Sequence, residues 1–559
     1  MSNLPRIADQ AETRSNGAES PEGLRETGSH ALPGGQHRRQ LRTMRWVPPV
    51  AAFLLVTGCS SGHPNVPHPP SYAINHPERT FLGRASAAQL DATPGQSGFH
   101  LLISGQDAFV ARAALAEASG RTLDLQYYVV GEDASATLLL YRALRAAQRG
   151  VRVRLLIDDI YAVGRDFDLA ALAAHPNVQV RVFNPFRFRG PLGISRLFEY
   201  LGDSARLDRR MHNKLWIADN AVAVIGGRNL GDAYFNLSAE SDFADLDVLA
   251  AGPVVAQISH SFDEYWNNAL AVPIAAFVGT APDAGKLDQA LARMAAIAER
   301  FRATDYAQAL RTNGFGSQVR TGRIPLAPAH ATVYDTPLPL QSGAAEHHLP
   351  IAPAVRQLIQ GAQHEVILIS PYFIPGERGV GTLCTLARRG IRVRMLTNSL
   401  ASTDVPVVHA GYARYRPRLL ACGVELHEMR PHANRPGSTR PGLSSGASLH
   451  AKAVVVDQKS VLIGSMNLDP RSRQSNMEVA IRIESPELGG QLATLFEEAT
   501  APGEAFRVEL TEPGNADSPL VWVGREDGQP VRYSREPLAS WWRRTESSLL
   551  GALAPEELL

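Results

Sequence analysis

Two histidine–lysine pairs stand in the same local pattern in this chain of 559 residues. His212-Asn213-Lys214 leads into an apolar stretch ending at Asp219, and Gly226-Gly227-Arg228-Asn229 follows after six residues. His450-Ala451-Lys452, Asp457 and Gly464-Ser465-Met466-Asn467 repeat the arrangement 238 positions further on. Side chains two apart in a strand point the same way, so each His is expected to share one strand face with its Lys. Brought together, two imidazoles and two ammonium groups would surround one small anion, and a phosphodiester fits that description. A neutral imidazole can attack phosphorus to give a covalent phosphohistidine, while a protonated one hands its proton to the departing alkoxide. The second ring then deprotonates the incoming nucleophile; water gives hydrolysis and an alcohol gives transfer. Lys214, Lys452, Asn229 and Asn467 are the candidate donors to the non-bridging oxygens as charge develops.

Each reacting His needs an acceptor on its other ring nitrogen. Asp245, in Phe243-Ala244-Asp245-Leu246-Asp247-Val248, and Glu478, in Asn476-Met477-Glu478-Val479, both open apolar strand-like runs downstream of a His and are the candidates. The spacing alone does not say which carboxylate serves which ring. Asp219 and Asp457 belong to the motifs but fall at odd spacing from His, which points them toward the backbone or the following turn in a structural role. The 17 histidines show neither Cys/His nor HExxH spacing, so the chemistry is read as independent of metal and of cofactor.

The elements that carry these residues repeat as well. Arg149-Gly150-Val151-Arg152-Val153-Arg154-Leu155-Leu156 matches Arg389-Gly390-Ile391-Arg392-Val393-Arg394-Met395-Leu396. In each half an apolar strand pattern (123–130, 366–374) precedes a helical stretch (134–148, 379–388) and a second strand, the alternation of an α/β layer fold. The length prior of about three or four domains therefore gives way to two related lobes. Apolar residues make up 44% of the chain, as in an ordinary folded protein, and 56 Lys plus Arg nearly cancel 55 Asp plus Glu. Without a net basic field, nucleic acid is not the expected partner.

The N-terminus is read as targeting. The apolar run Trp46–Thr57 is too short to span a bilayer and ends in Val56-Thr57-Gly58-Cys59, like a lipobox with Cys59 as the lipidated residue. Either Met1 or Met44 is then the true start, and Arg38-Arg39 is an imperfect twin-arginine signal. A residue other than Asp after the Cys, here Ser60, resembles lipoproteins sorted to the outer membrane. Cys384 and Cys422 are read as small buried apolar residues, with a periplasmic disulfide as the alternative.

Together with Leu125-Gln126-Tyr127-Tyr128, Ser370-Pro371-Tyr372-Phe373-Ile374-Pro375 and Thr397–Asp404, the paired motifs resemble the phospholipase D superfamily, and more closely bacterial cardiolipin synthases of the C type. The resemblance covers roughly residues 97 to 559. It implies two pseudo-twofold-related lobes, each a mixed sheet flanked by helices, with His212 as nucleophile, His450 as acid and base, and Asp245 and Glu478 as orienting groups. The implied function is a phosphatidyltransferase or phosphodiesterase acting on phosphatidylglycerol or phosphatidylethanolamine at a membrane surface, with cardiolipin synthesis foremost. A hydrolytic phospholipase D, a periplasmic nuclease and a non-catalytic envelope lipoprotein are the alternatives. One monomer suffices for one site. The expected organisation is a disordered or upstream leader (1–43), a lipoprotein signal peptide (44–58), a linker (59–96), lobe 1 (97–275), a helical connector (276–330), lobe 2 (331–500) and a tail (501–559). Two segments are candidates for bilayer contact: the aromatic and Arg mixture of residues 186–200, and Trp541-Trp542-Arg543-Arg544. The Gly/Ser/Pro-rich loop 434–448 is a candidate gate.

Overall fold

Three parallel strands form the centre of each half. In the computed structural model, which describes residues 66–162, 165–187, 193–238, 242–278, 284–338, 350–431 and 448–553, the first set is Thr122–Tyr127, Arg152–Asp158 and Val178–Phe183. The second is Glu365–Ile369, Arg392–Asn398 and Glu425–Met429. Parallel neighbours need a crossover, and the helix Ala134–Gln148 supplies it in the first half as Gly376–Arg388 does in the second. The Asp133 carboxylate accepts from the Ala136 amide and fixes where the first crossover helix starts.

Each motif forms an antiparallel hairpin on the edge of its parallel set. Leu215–Ala218 pairs with Thr122–Tyr127 and with Val222–Gly226, while Ala453–Val456 pairs with Glu365–Ile369 and with Ser460–Gly464. The two sheets are continuous through the strand Ala327–Asp335. Its first three residues pair with Ser97–Phe99 and its last six with Val479–Glu484, making one run of 18 strands. This strand crosses residue 330, so the expected connector is helical (Ala284–Arg302, Asp305–Thr312, Gly314–Thr321) only as far as Thr321.

Strand alternation sends side chains into separate cores. Trp216 and Ala218 face the outer helices of lobe 1, and Val454 and Val456 face those of lobe 2. Their neighbours Leu215, Ile217, Val455 and Ile463 meet in a third core between the two sheets, with the helices Val254–Asn267 and Pro486–Ala499. The layers are therefore helices, sheet, shared core, sheet, helices.

Residues 501–553 do more than trail the fold. Ala505–Leu510, Leu520–Glu526 and Gln529–Tyr533 extend the second sheet beyond Glu425–Met429, and the helix Trp541–Leu553 follows. Cys384 and Cys422 form a disulfide between neighbouring helices, in place of the two buried thiols read first from the sequence. No described helix is long and apolar enough to cross a membrane. The targeting segment with Cys59, Phe188-Arg189 and loop 434–447 lie outside the described residues.

Candidate active site

His212-Asn213-Lys214 and His450-Ala451-Lys452 lie just before the hairpin strands rather than on them. The ladder ends at Leu215 in one half and at Ala453 in the other, leaving the His backbones to find partners elsewhere. They find them in the opposite lobe. The His212 amide donates to the Met477 carbonyl at 2.8 Å, and the His450 amide donates to the Ala244 carbonyl at 2.8 Å. Met477 and Ala244 each precede one of the two candidate carboxylates. The short parallel pairing of Phe243–Ala244 with Ser448–Leu449 belongs to the same contact.

The carboxylates consequently serve the His of the other half. His212 Nδ1 lies 2.9 and 3.1 Å from the Glu478 oxygens, and His450 Nδ1 lies 2.6 Å from Asp245 Oδ2. With Nδ1–H donated to a carboxylate, a neutral ring keeps its lone pair on Nε2, the tautomer this network assigns. The two supports differ. Glu478 accepts from the Ser465 hydroxyl, whereas the equivalent residue Gly227 packs on Asp245, where a Cβ would come within 2.1 Å of Oδ1. The Arg228 guanidinium donates to the Asp245 carbonyl and to Leu102 and Ile103, which anchors that strand.

The residues before each His are held by a second matched pair. Asp158 accepts from the Met211 amide at 2.8 Å, and Asn398 both accepts from the Leu449 amide and donates to its carbonyl, each at 2.9 Å. Asp158 and Asn398 occupy equivalent ends of the Arg152–Asp158 and Arg392–Asn398 strands. Extending the repeated Arg149 and Arg389 segments by two residues would have exposed this pair. Tyr128 stands edge-on to His212 with ring centroids 5.0 Å apart, and Tyr234 likewise to His450 at 5.2 Å. Neither tyrosine carries a titratable signature that the sequence could display.

Electrostatics join the groups into one site. Burial lowers the pKa of His212 to about 4, with Glu478 opposing and the two lysines assisting. Burial followed by the Lys452 charge lowers His450 as well, against Asp245. Lys452 is depressed by burial to about 8, and burial takes Lys214 well below the usual range, with Lys452 adding repulsion across the lobes. Burial would raise Asp245 and Glu478, but the facing His, Lys and hydrogen-bond donors outweigh it and both stay below the ordinary carboxylate range. Burial and mutual repulsion disfavour the charged forms of both lysines and both rings, and an anion bound among them would relax that penalty.

The remaining motif residues take other positions. Asp219 accepts from the amides of Gly120, Arg121 and Thr122, and Asp457 from those of Gln363, His364 and Glu365. Both sit on hairpin turns in the left-handed region, at φ 55° and 53°, at the sheet end remote from the histidines. The Asn229 carboxamide accepts from the Val129 amide and donates to the Tyr234 hydroxyl, so it fixes the ring beside His450. Asn467 is buried, and its Oδ1 meets no hydrogen-bond partner among the described residues.

A two-lobed α/β body whose single site takes one His-Lys pair from each lobe defines the phospholipase D class. Residues 112–266 and 355–500 match the family described as "Cardiolipin synthase, PLD-like domain". The chain is 38% identical over 469 residues to cardiolipin synthase C of Escherichia coli K12, covering 83% of this chain and 97% of that protein. It is also 34% identical to an uncharacterised Helicobacter pylori protein, over 86% of this chain and 93% of the relative. Its fold is similar to that of a Haemophilus influenzae phosphatidylserine synthase, with a TM-score of 0.51 at 14% identity, covering 86% of this chain and all of that one. The chain belongs to the phospholipase D-like family of cardiolipin synthases, enzymes of the phosphatidyltransferase class.

Proposed function

We propose that the protein makes cardiolipin by transferring a phosphatidyl group, through a phosphohistidine, onto the headgroup hydroxyl of phosphatidylglycerol. The crossed His–carboxylate pairs are the observation that carries this reading, because they hold two rings in one tautomer around a cationic pocket. His212 Nε2 attacks phosphorus, the bond to the departing headgroup oxygen breaks, and His450, which takes up a proton on Nε2 when the anionic phosphodiester binds, gives that proton to the oxygen. The incoming hydroxyl then gives its proton to His450 as its oxygen displaces His212 Nε2. Lys214 and Lys452 hold the non-bridging oxygens, and the anion restores the ammonium charge that the empty site disfavours. Phosphatidylglycerol or phosphatidylethanolamine can serve as donor.

Lipidation at Cys59 and attachment to the periplasmic side of the outer membrane complete the proposal. The Cys384–Cys422 disulfide supports an oxidising compartment. Thin-layer chromatography of lipids from cells expressing the parent and His212→Ala is the test. A cardiolipin spot that depends on His212 and rises with added phosphatidylglycerol is expected. Phosphatidic acid in its place would make the enzyme a hydrolase, and unchanged lipids with His212-dependent DNA degradation would overturn the lipid reading.

A further inference from the structure

Three of the exposed large apolar side chains among the described residues stand on one helix. Trp541 is 73% and Trp542 68% exposed at the start of the helix Trp541–Leu553, and Leu549, two turns on, is exposed on the same side as Trp542. The arginines of that helix turn the other way. Arg543 Nε donates to the Leu400 carbonyl at 2.6 Å and its Nη2 to Thr403, while Arg544 donates to the Glu536 carbonyl at 3.0 Å. A helix of a water-facing surface does the reverse, burying its tryptophans and solvating its arginines. Here the polar groups are the fastening and the apolar groups are left outward.

The fastening lies at the mouth of the site. Thr403, which Arg543 holds, is followed by Asp404, whose carboxylate accepts from the Tyr372 hydroxyl at 2.8 Å. From the other lobe Tyr161, 49% exposed, stands edge-on to Tyr128 at 5.2 Å, and Tyr128 stands edge-on to His212. The Asp404 charge reaches the Tyr161 hydroxyl, and Arg471 acts on Tyr128, Tyr161 and Tyr200. Tyr200 and the 70% exposed Leu201 extend the apolar rim on that side. Aromatic rings of the first lobe thus lead from the surface to the nucleophile, within reach of the Asp404 and Arg471 charges of the second lobe. Tyr72, also exposed, lies at the far end, where its carbonyl accepts from Arg152 at the start of the Arg152–Asp158 strand.

We infer that this rim is a bilayer-docking surface, with Trp541 and Trp542 entering the headgroup layer on one side of the mouth and Tyr161, Tyr200 and Leu201 on the other. The inference rests on the proposed phospholipid chemistry and adds where the lipid surface meets the enzyme. Tryptophan and tyrosine are the side chains that settle at the headgroup level, and Arg471 offers a phosphate contact at the entrance. A bilayer is favoured over a protein partner because the exposed Tyr161 opens an aromatic path to His212, which a substrate held in a membrane must enter, and the tryptophan helix is fastened beside Asp404, whose charge reaches Tyr161.

The test uses the full chain carrying Cys59→Ser, so that no acyl anchor contributes, with vesicles of phosphatidylglycerol and phosphatidylethanolamine. Trp541→Ala/Trp542→Ala should lower vesicle binding by co-sedimentation about tenfold or more. Turnover on vesicles should fall with it, and turnover on monomeric short-chain phosphatidylglycerol should stay within about twofold. Tyr72→Ala, at the remote end, should leave both unchanged. Vesicle binding equal to the parent in the double tryptophan variant would overturn the inference, as would an equal loss of turnover on short-chain lipid, which would mark damage to the site. Vesicle binding that depends on the tryptophans, with turnover indifferent to His212→Ala, would instead sink the proposed chemistry and leave the docking surface standing.

Discussion

The crossing of the carboxylates gives the two histidines different expected behaviour in the same site. His212 has a pKa of about 4 when the site is empty, against about 6.5 for an exposed ring, so it stays neutral and nucleophilic through mildly acid pH. The His212 limb of kcat/KM should therefore lie near pH 4. The folded state binds fewer protons than the unfolded chain between these values, so this group's contribution to stability is full above about 6.5 and falls away toward 4. Because the Glu478 charge raises the ring's pKa, Glu478→Gln should move the limb lower still while reducing turnover about 10- to 100-fold through loss of the fixed tautomer. Asp245→Asn should act on proton transfer to and from His450. Quenching with phosphatidylglycerol labelled in its phosphatidyl group should trap more labelled protein in Asp245→Asn than in the parent, and none in His212→Ala. A pH–rate profile and a label yield unchanged by either carboxylate variant would show that the crossed pairs do not orient the rings.

At the scale of the hairpin, the motif Asp works as backbone support. Asp219 satisfies three amide donors at the start of Thr122–Tyr127, so Asp219→Ala should cost about 2–4 kcal/mol, read by thermal melting, and leave kcat within a fewfold of the parent. A collapse of kcat without loss of stability would place Asp219 in the chemistry instead. A supporting role away from His was legible in the local spacing, although the length of the intervening strand, not its alternation, is what separates Asp219 and Asp457 from the histidines. The helix Ala134–Gln148 and the strands around it were legible for the same reason, their apolar periodicity being local. The pairing of Glu478 with His212 was not, since two carboxylates at similar distances beyond two histidines fit either assignment until the lobes are brought together. Nor was the strand Ala327–Asp335, which alternates weakly because its two ends serve different sheets. Tyr128 stood in a stretch that carried the resemblance but with no role, and Tyr234 gave no signal, because an edge-on ring contact has no spacing rule; Cys384 and Cys422 gave two readings because spacing alone does not set the distance between helices.

For the whole molecule, the shared core makes the lobes one cooperative body. Ile217 and Val248 of the first half pack in the same apolar layer as Val455, Ile463 and Ile481 of the second, and the strand Ala327–Asp335 carries hydrogen bonds to both. The helices Val254–Asn267 and Pro486–Ala499 cover only part of that layer, so separating the halves would expose apolar surface on both inner faces and break the His212–Met477 and His450–Ala244 backbone bonds together. Proteins of this length usually unfold domain by domain, which makes the opposite expectation informative. Calorimetry should give a single transition, and fluorescence from Trp216 in lobe 1 and Trp522 in lobe 2 should report the same midpoint. Ile463→Ala, which leaves a cavity in the shared layer, should cost about 2–5 kcal/mol and shift both probes equally, although the substitution lies in only one lobe. Two resolved transitions, or a shift confined to Trp522, would mean that each lobe holds its own fold and that the site is assembled by docking rather than by folding.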